Sequence, residues 1–336
     1  MAQAKKAVLL MNIGSPDSYK TKDVARYLRQ FLNDGRVINI PAFFRFLLVY
    51  GIIVPFRASK SAKKYKEIWT EQGSPLIFHS VELQNKLQLL MNDDADVYVG
   101  MRYGNPDISD VLNEMQKKYY SEIVLLPMYP QNASSTTSSS VQRVFDVMKT
   151  WVNIPSLKII NEFWNHPLYA QALLHHVSTY NYNEYDHVII SFHGLPLSQV
   201  YQSHNCKTCT AQGCAYELNN NNKFCYRATC YQTALNLARD WELPKSNYTI
   251  SFQSRLSKNW LSPFTDDILV DLAQQNKKKV LVVCLSFVAD CLETLHEIEI
   301  EYAEMFKEKG GEELVLVPAL NSNDFWVNAV RQMILE

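Results

Sequence analysis

Lysine and arginine number 33 and aspartate and glutamate 34 in a chain of 336 residues, so net charge of either sign is almost absent. A nucleic-acid partner calls for a basic excess on one face, and this balance gives no such footprint. No GxGxxG follows the first apolar run, which counts against a dinucleotide cofactor. No GxxxxGK followed by Ser or Thr occurs, which removes the common ATP-binding loop. Long apolar runs are also missing. The opening "MAQAKKAVLLMNIGSP" has too short a run for a signal peptide and reads as a strand and turn. The run Phe46 to Phe56, between Arg45 and Arg57, is eleven residues against the roughly 20 that a spanning helix needs. It reads either as a buried helix or as an apolar lip with a basic collar, touching a bilayer surface or a greasy substrate. The chain is therefore expected in the cytoplasm, with the lip offering peripheral contact at the inner face of the membrane.

Cysteine is scarce outside one loop. Five of the seven cysteines lie in "SHNCKTCTAQGCAYELNNNNKFCYRATC", spaced Cys206-x2-Cys209-x4-Cys214-x10-Cys225-x4-Cys230. A chain of this length has core enough to fold without disulfide staples. In a reducing compartment such a cluster points to metal before disulfides, and four thiolates suit either zinc or an iron–sulfur cluster. The tract "NNNN" (219–222) is a small low-complexity loop inside this region.

What the chain has in plenty is short β-branched runs: "VLLMNIG", "VYVGMRYG", "IVLLPMYP", "HVIISFHGLP", "YTISFQS", "VLVVCLSF" and "LVLVPAL". They are apolar on both sides of the strand period, as in strands covered on both faces. Helical patterns such as "DVARYLRQFL" and "DVLNEMQKKYY" lie between them. Alternating strands and helices predict an α/β fold with parallel sheets flanked by helices. Two halves of similar design meet near "NIPSLKIINEFWNHP". The expected domains are 1–162, carrying the apolar lip at 43–56, and 163–336, carrying the Cys-rich insertion 203–230 and a C-terminal helix. Ligands of open parallel sheets bind beyond the carboxyl ends of strands. The polar strand ends Asn12, Arg102, Tyr129, His193, Gln253 and Ser286 should therefore line a cleft.

Two further constellations could carry chemistry. In "SFHGLP", His193 ends a buried-type strand, and its imidazole can take protons near neutral pH. In "DCLETLHEIEIEY", Asp290, Glu293, Glu297 and Glu301 are spaced 3, 4 and 4, which puts four carboxylates on one helical face. Such a ridge is either a plain solvated acidic face or a row of hard oxygen ligands that holds a divalent cation loosely and hands it on.

Together these segments resemble ferrochelatase, the family that inserts Fe2+ into a porphyrin. "LLMNIGSPDS", "QGSPL", "VGMRYGNPDI", "PMYPQNASSTTSSS", "SFHGLP", "FQSRLSKNWLSP", "ADCLETLHEIEIEY" and "PALN" follow in the family order along nearly the whole chain. The resemblance implies two Rossmann-like, chelatase-type domains with the active-site cleft between them. It matches His193 and Glu293 to the family's catalytic pair, where Fe2+ meets the protein as substrate. Glu297, Glu301 and Asp290 fall on its iron or proton path. Ile13, Arg57, Arg102, Tyr103, Tyr129, Gln253, Ser254 and Trp260 fall where the family lines the macrocycle or its propionates. Ile13 stands where members of the coproporphyrin branch have tyrosine, which favours protoporphyrin IX. Cys291 stands where some members have histidine.

The Cys-rich loop sits where many members have a short link. Its C-x2-C-x4-C spacing repeats that of members holding a 2Fe–2S cluster in a C-terminal tail, so the resemblance implies 2Fe–2S over zinc. The implied ligands are Cys206, Cys209, Cys214 and Cys225, with Cys230 the alternate. Cys284, inside a strand, reads as core. Rival readings are a chelatase for another tetrapyrrole, such as coproporphyrin III or a cobalt-accepting corrin precursor, and a non-catalytic porphyrin or haem binder with an Fe–S loop. A homodimer would use the loop or the lip as its contact surface.

Overall fold

The computed structural model describes residues 5–92, 94–203 and 216–336. Cys206, Cys209 and Cys214 lie outside the described residues. The chain forms two compact units, one of residues 1–162 with 321–336 and one of residues 163–320.

The first unit is built on four parallel strands in the order β2-β1-β3-β4. They are β1 (Lys6–Asn12), β2 (Ala95–Met101), β3 (Glu122–Pro127) and β4 (Ser156–Ile159). Helices of the same stretch are α1 (Thr21–Leu32), α2 (Ala42–Leu47), α3 (Val54–Ile68), α4 (Pro75–Met91), α5 (Ile108–Gln116) and α6 (Ser139–Met148). On one face Ala7, Leu9 and Met11 of β1 pack with Ile108, Leu112 and Met115 of α5 and Val144 and Met148 of α6. Burying each of the larger side chains stabilises by about 1.5–3 kcal/mol, and only a strand apolar on both faces can be covered on both. The turns after β1 and β2 pass so closely that a Cβ on Gly14 would stand 1.7 Å from the Tyr103 carbonyl oxygen. Gly14 also has φ +97, which glycine alone adopts freely.

The second unit repeats the design with β5 (His187–His193), β6 (Tyr248–Gln253), β7 (Lys279–Cys284) and β8 (Glu313–Val317), ordered β6-β5-β7-β8 and all parallel. Its helices are α7 (Pro167–Val177), α8 (Leu197–Gln202), α9 (Tyr226–Asp240), α10 (Thr265–Gln274) and α11 (Ala303–Glu308). A wide π-helical segment, Leu292–Tyr302, runs into α11. Ile189, Val280, Val282 and Cys284 form a core with Leu269, Ile298 and Phe306, so Cys284 is a packing residue.

The last helix, α12 (Asp324–Leu335), groups with the first unit and not with the second half of the sequence. Lys86 on α4 donates to Ser322 O and Asp324 Oδ1, both at 2.8 Å, and Arg331 Nε donates to Leu90 O at 3.1 Å. Trp326 is fully buried there.

The lip is a continuous helix, Ala42–Ile68, in which a π-helical turn at Leu48–Ile53 joins α2 to α3. By length and composition it is apolar enough to cross a bilayer, beyond what the eleven-residue run suggests. Val54, Ala58, Ala62 and Tyr65 are nonetheless buried in the unit. Phe43 is 67% exposed and Phe56 77%, with Phe44, Phe46 and Ile52 exposed beside them. The buried-helix reading is thereby set aside. Arg45 folds back, donating to Asn33 O at 2.8 Å and Ile40 O at 2.7 Å, while Arg57 is exposed.

Candidate active site

His193 is the last residue of β5 and sits in register with Gln253, the last of β6. Its backbone N–H donates to Ser286 Oγ at 3.0 Å, and its carbonyl accepts the Tyr226 hydroxyl at 2.9 Å. Its Nδ1 lies 2.6 Å from Gly194 O. A carbonyl only accepts, so Nδ1 carries the proton and the lone pair of the neutral ring is on Nε2. Trp260 and Phe287 flank the ring, with centroids 6.5 and 6.1 Å away. A Cβ on Gly194 would stand 2.8 Å from Gln253 O, so the turn that aims the imidazole requires a residue without one.

Glu293 lies one residue into the π-helical segment, half-buried. Gln253 Nε2 donates to the Glu293 carbonyl at 2.8 Å, while its Oε1 accepts Ser191 Oγ at 2.9 Å. Gln253 is 1% exposed, so it fixes the segment from behind. The Glu297 carboxylate accepts the Ser254 amide at 2.7 Å, the Ser254 hydroxyl, and the Tyr302 hydroxyl at 2.9 Å. Burial first, then the Glu297 charge, pushes the Tyr302 phenol well above its ordinary pKa.

The four acids do not share one environment. Asp290 precedes the segment, is 4% exposed, and accepts Thr294 Oγ1 at 3.1 Å and the Ala319 amide at 3.0 Å. Glu301 is exposed, with a carboxylate oxygen 3.6 Å from His296 Nδ1. The i→i+5 winding of a π-helix turns each side chain less per residue than the α-helix expected from the spacing.

In the first unit the strand ends gather a second set. Asp34 Oδ2 accepts Arg102 Nη2 at 2.5 Å, the Tyr103 hydroxyl at 2.8 Å and Ser139 Oγ at 2.6 Å. Its Oδ1 accepts the Arg36 amide at 2.7 Å. Burial pushes the Asp34 carboxyl up, but Ser139, the Arg36 amide, Tyr103 and the Arg102 charge outweigh it and hold it below the usual value. Arg102 Nε donates to Ser139 Oγ at 2.7 Å. Tyr103 is 1% exposed and Tyr129 8%, and burial raises both phenols. Ile13 is half-buried, and its carbonyl accepts the Tyr103 amide at 3.0 Å. Sequence reasoning missed Asp34, Ser139 and Tyr226. It named Ser286 only as a polar strand end.

Among the described residues no group of three or more His, Cys, Asp or Glu is arranged to hold a metal. Cys225, 1% exposed, is the N-cap of α9. Cys230 is fully buried within α9, and burial first pushes its thiol well above the ordinary value.

The ferrochelatase family's sequence pattern matches residues 5–336. A ferrochelatase of Legionella pneumophila is 41% identical over 333 residues, covering 99% of each chain. A ferrochelatase of Coxiella burnetii is 37% identical over 334 residues, covering 98% of this chain and 93% of its own. Among solved structures, SirB from Bacillus subtilis with Fe3+ superposes with a TM-score of 0.54 at 11% identity, covering 99% of this chain and 95% of its own. That likeness bears out the two-sheet chelatase fold.

Proposed function

The chain belongs to the ferrochelatase family, and we propose that the porphyrin it metallates is protoporphyrin IX. It is an enzyme of haem biosynthesis, a lyase with Fe2+ as substrate. In the reaction two pyrrole N–H bonds break, two protons leave, and the four ring nitrogens bind the iron. The observation that carries the assignment of the base is the His193 Nδ1 bond to Gly194 O at 2.6 Å. It leaves Nε2 as the basic edge of a neutral imidazole, poised to take a pyrrole proton.

Glu293 stands with His193 as the second group that meets iron or protons. The path continues outward through half-buried Glu297 to exposed Glu301, with Asp290 anchoring the start of the segment. To the porphyrin we assign Ile13, Arg57, Arg102, Tyr103 and Tyr129 of the first unit and Gln253, Ser254 and Trp260 of the second. Apolar walls that hold the ring bent would spend binding energy on exposing its nitrogen lone pairs.

The spacing of Cys206, Cys209, Cys214 and Cys225 supports a 2Fe–2S cluster, which these four thiolates would hold. The bound cluster would supply a one-electron redox centre. The protein works in the cytoplasm, and its exposed lip touches the bilayer surface. A second copy of the chain would compete for the same apolar patch.

The test is anaerobic Fe2+ insertion into protoporphyrin IX and coproporphyrin III. The expected result is a preference for protoporphyrin and a loss of roughly 100-fold or more in H193A. A coproporphyrin preference would overturn the substrate, and near-normal H193A the base. A visible spectrum with iron and sulfide analysis reads the cluster. A colourless, zinc-loaded protein, or cluster loss in C230S with retention in C225S, would overturn the ligand assignment.

A further inference from the structure

Tyr226 is the first residue of α9 and immediately follows Cys225. It is 7% exposed, and its hydroxyl is hydrogen-bonded to the Cys230 thiol and to two groups at His193. It donates to His193 O at 2.9 Å and lies 2.9 Å from Ser286 Oγ, which accepts the His193 amide at 3.0 Å. Both backbone polar groups of His193 are thus closed into one ring of bonds by Tyr226 and Ser286.

On the other side of Cys225 the "NNNN" tract is a built turn. Asn222 is 1% exposed, its Oδ1 accepts the Asn219 amide at 2.7 Å, and its Nδ2 donates to Glu217 O at 2.8 Å. Its carbonyl accepts the Cys225 amide at 2.8 Å. The string from Asn222 to Tyr226 is therefore pinned at both ends, with the Cys225 sulfur between the pins.

We propose that Tyr226 is a positioning residue for His193, and that through it the state of the Cys225 sulfur reaches the imidazole. This rests on the reading of His193 as the base and of Cys225 as a metal ligand. A buried hydroxyl held by His193 O, Ser286 Oγ and the Cys230 thiol has no solvent alternative, so a shift of the peptide at Cys225 strains or breaks the bond to His193 O. The Nδ1–Gly194 bond then aims Nε2 from a displaced backbone. Misplacement of a reacting group by about 1 Å can cost up to roughly 100-fold in rate, so the consequence falls on kcat and not on porphyrin binding.

The experiment uses full-length protein with 13C-labelled histidine, the His193 Cε1–H resonance being assigned by its absence in H193A. At one fixed pH, Y226F is expected to move that resonance, lower kcat roughly tenfold and leave KM for porphyrin within about twofold. C225S is expected to move the same resonance when Tyr226 is present and to leave it in place in a Y226F background. A His193 resonance unmoved by Y226F would overturn the proposal. So would a C225S displacement of equal size in both backgrounds. Ser286→Ala opens the same ring of bonds from its other end and gives the same reading if Y226F does not fold. Near-normal insertion by H193A would overturn the base assignment alone, because the resonance reports position and not chemistry.

Discussion

Glu297 holds Ser254 in a backbone conformation that serine seldom adopts. Ser254 has φ +63, and the Glu297 carboxylate takes both its amide, at 2.7 Å, and its hydroxyl. The bond joins the end of β6 to the π-helical segment, so the turn beside Gln253 is set from across the site. Removing the acceptor in E297A leaves the Ser254 amide and the Tyr302 hydroxyl unpaired, and a loss of about 2–3 kcal/mol in urea unfolding is expected. S254G loses the hydroxyl but relieves the positive φ, and should cost under about 1 kcal/mol. If S254G proves as harmful as E297A, the carboxylate is not what holds this turn.

Asp34 does the same service for Arg102, Tyr103 and Ser139. Its side chain is 9% exposed and that of Arg102 21%, so the pair is screened from water. D34A strands a half-buried guanidinium, and a loss of about 3–5 kcal/mol is expected. The double variant D34A/R102L removes both charges and should be more stable than D34A alone. Denaturant midpoints of the three proteins check this, and a double variant weaker than D34A would count against the pair as the source of stability.

Seven of the eight strands among the described residues were legible because "VLLMNIG" and its counterparts are apolar on both faces. Strand β4 was not, since Ser156–Ile159 is four residues long, half-exposed and contains Lys158. His193 was legible as a polar end to a buried strand. Asp34 was hidden because Arg102, Tyr103 and Ser139 lie 68, 69 and 105 residues away, and no local pattern encodes a contact at that range. Spacings of 3 and 4 residues between acids suit either helix type, so the π-helical winding was invisible. The terminal helix follows β8 in sequence, but the Lys86 and Arg331 bonds to which it owes its place are formed only in the fold.

The lip makes a separate prediction. Phe43, Phe44, Phe46, Ile52 and Phe56 are exposed, and Arg57, Lys60 and Lys63 are exposed on the continuing helix. The protein should sediment with vesicles containing anionic lipid. F56D combined with F43D should weaken that partition by roughly tenfold, with the thermal midpoint unchanged because exposed side chains contribute little to folding. K60E combined with K63E should weaken binding to anionic vesicles, by about 1 kcal/mol for each lysine lost, and leave binding to neutral ones alone. Equal sedimentation of the wild type and the double aspartate variant would remove the membrane from the account.

His187 opens β5 and is 7% exposed, its Nε2 2.8 Å from Thr249 Oγ1. Burial first, then the charge of Lys277, pushes its pKa from 6.5 down to about 4. In the unfolded chain the same imidazole takes a proton near its ordinary value, so between about pH 6.5 and 4 the unfolded state binds more protons than the folded one. Stability from the neutral buried ring is therefore present above pH 6.5 and is lost progressively as pH falls toward 4. H187Q can still bond to Thr249 but has nothing to protonate. The urea midpoint of the wild type should fall more steeply than that of H187Q between about pH 7 and about pH 4.5. Carboxylates elsewhere titrate in both proteins and cancel in the difference. Parallel midpoint curves for the two proteins would show that His187 carries no part of the acid sensitivity.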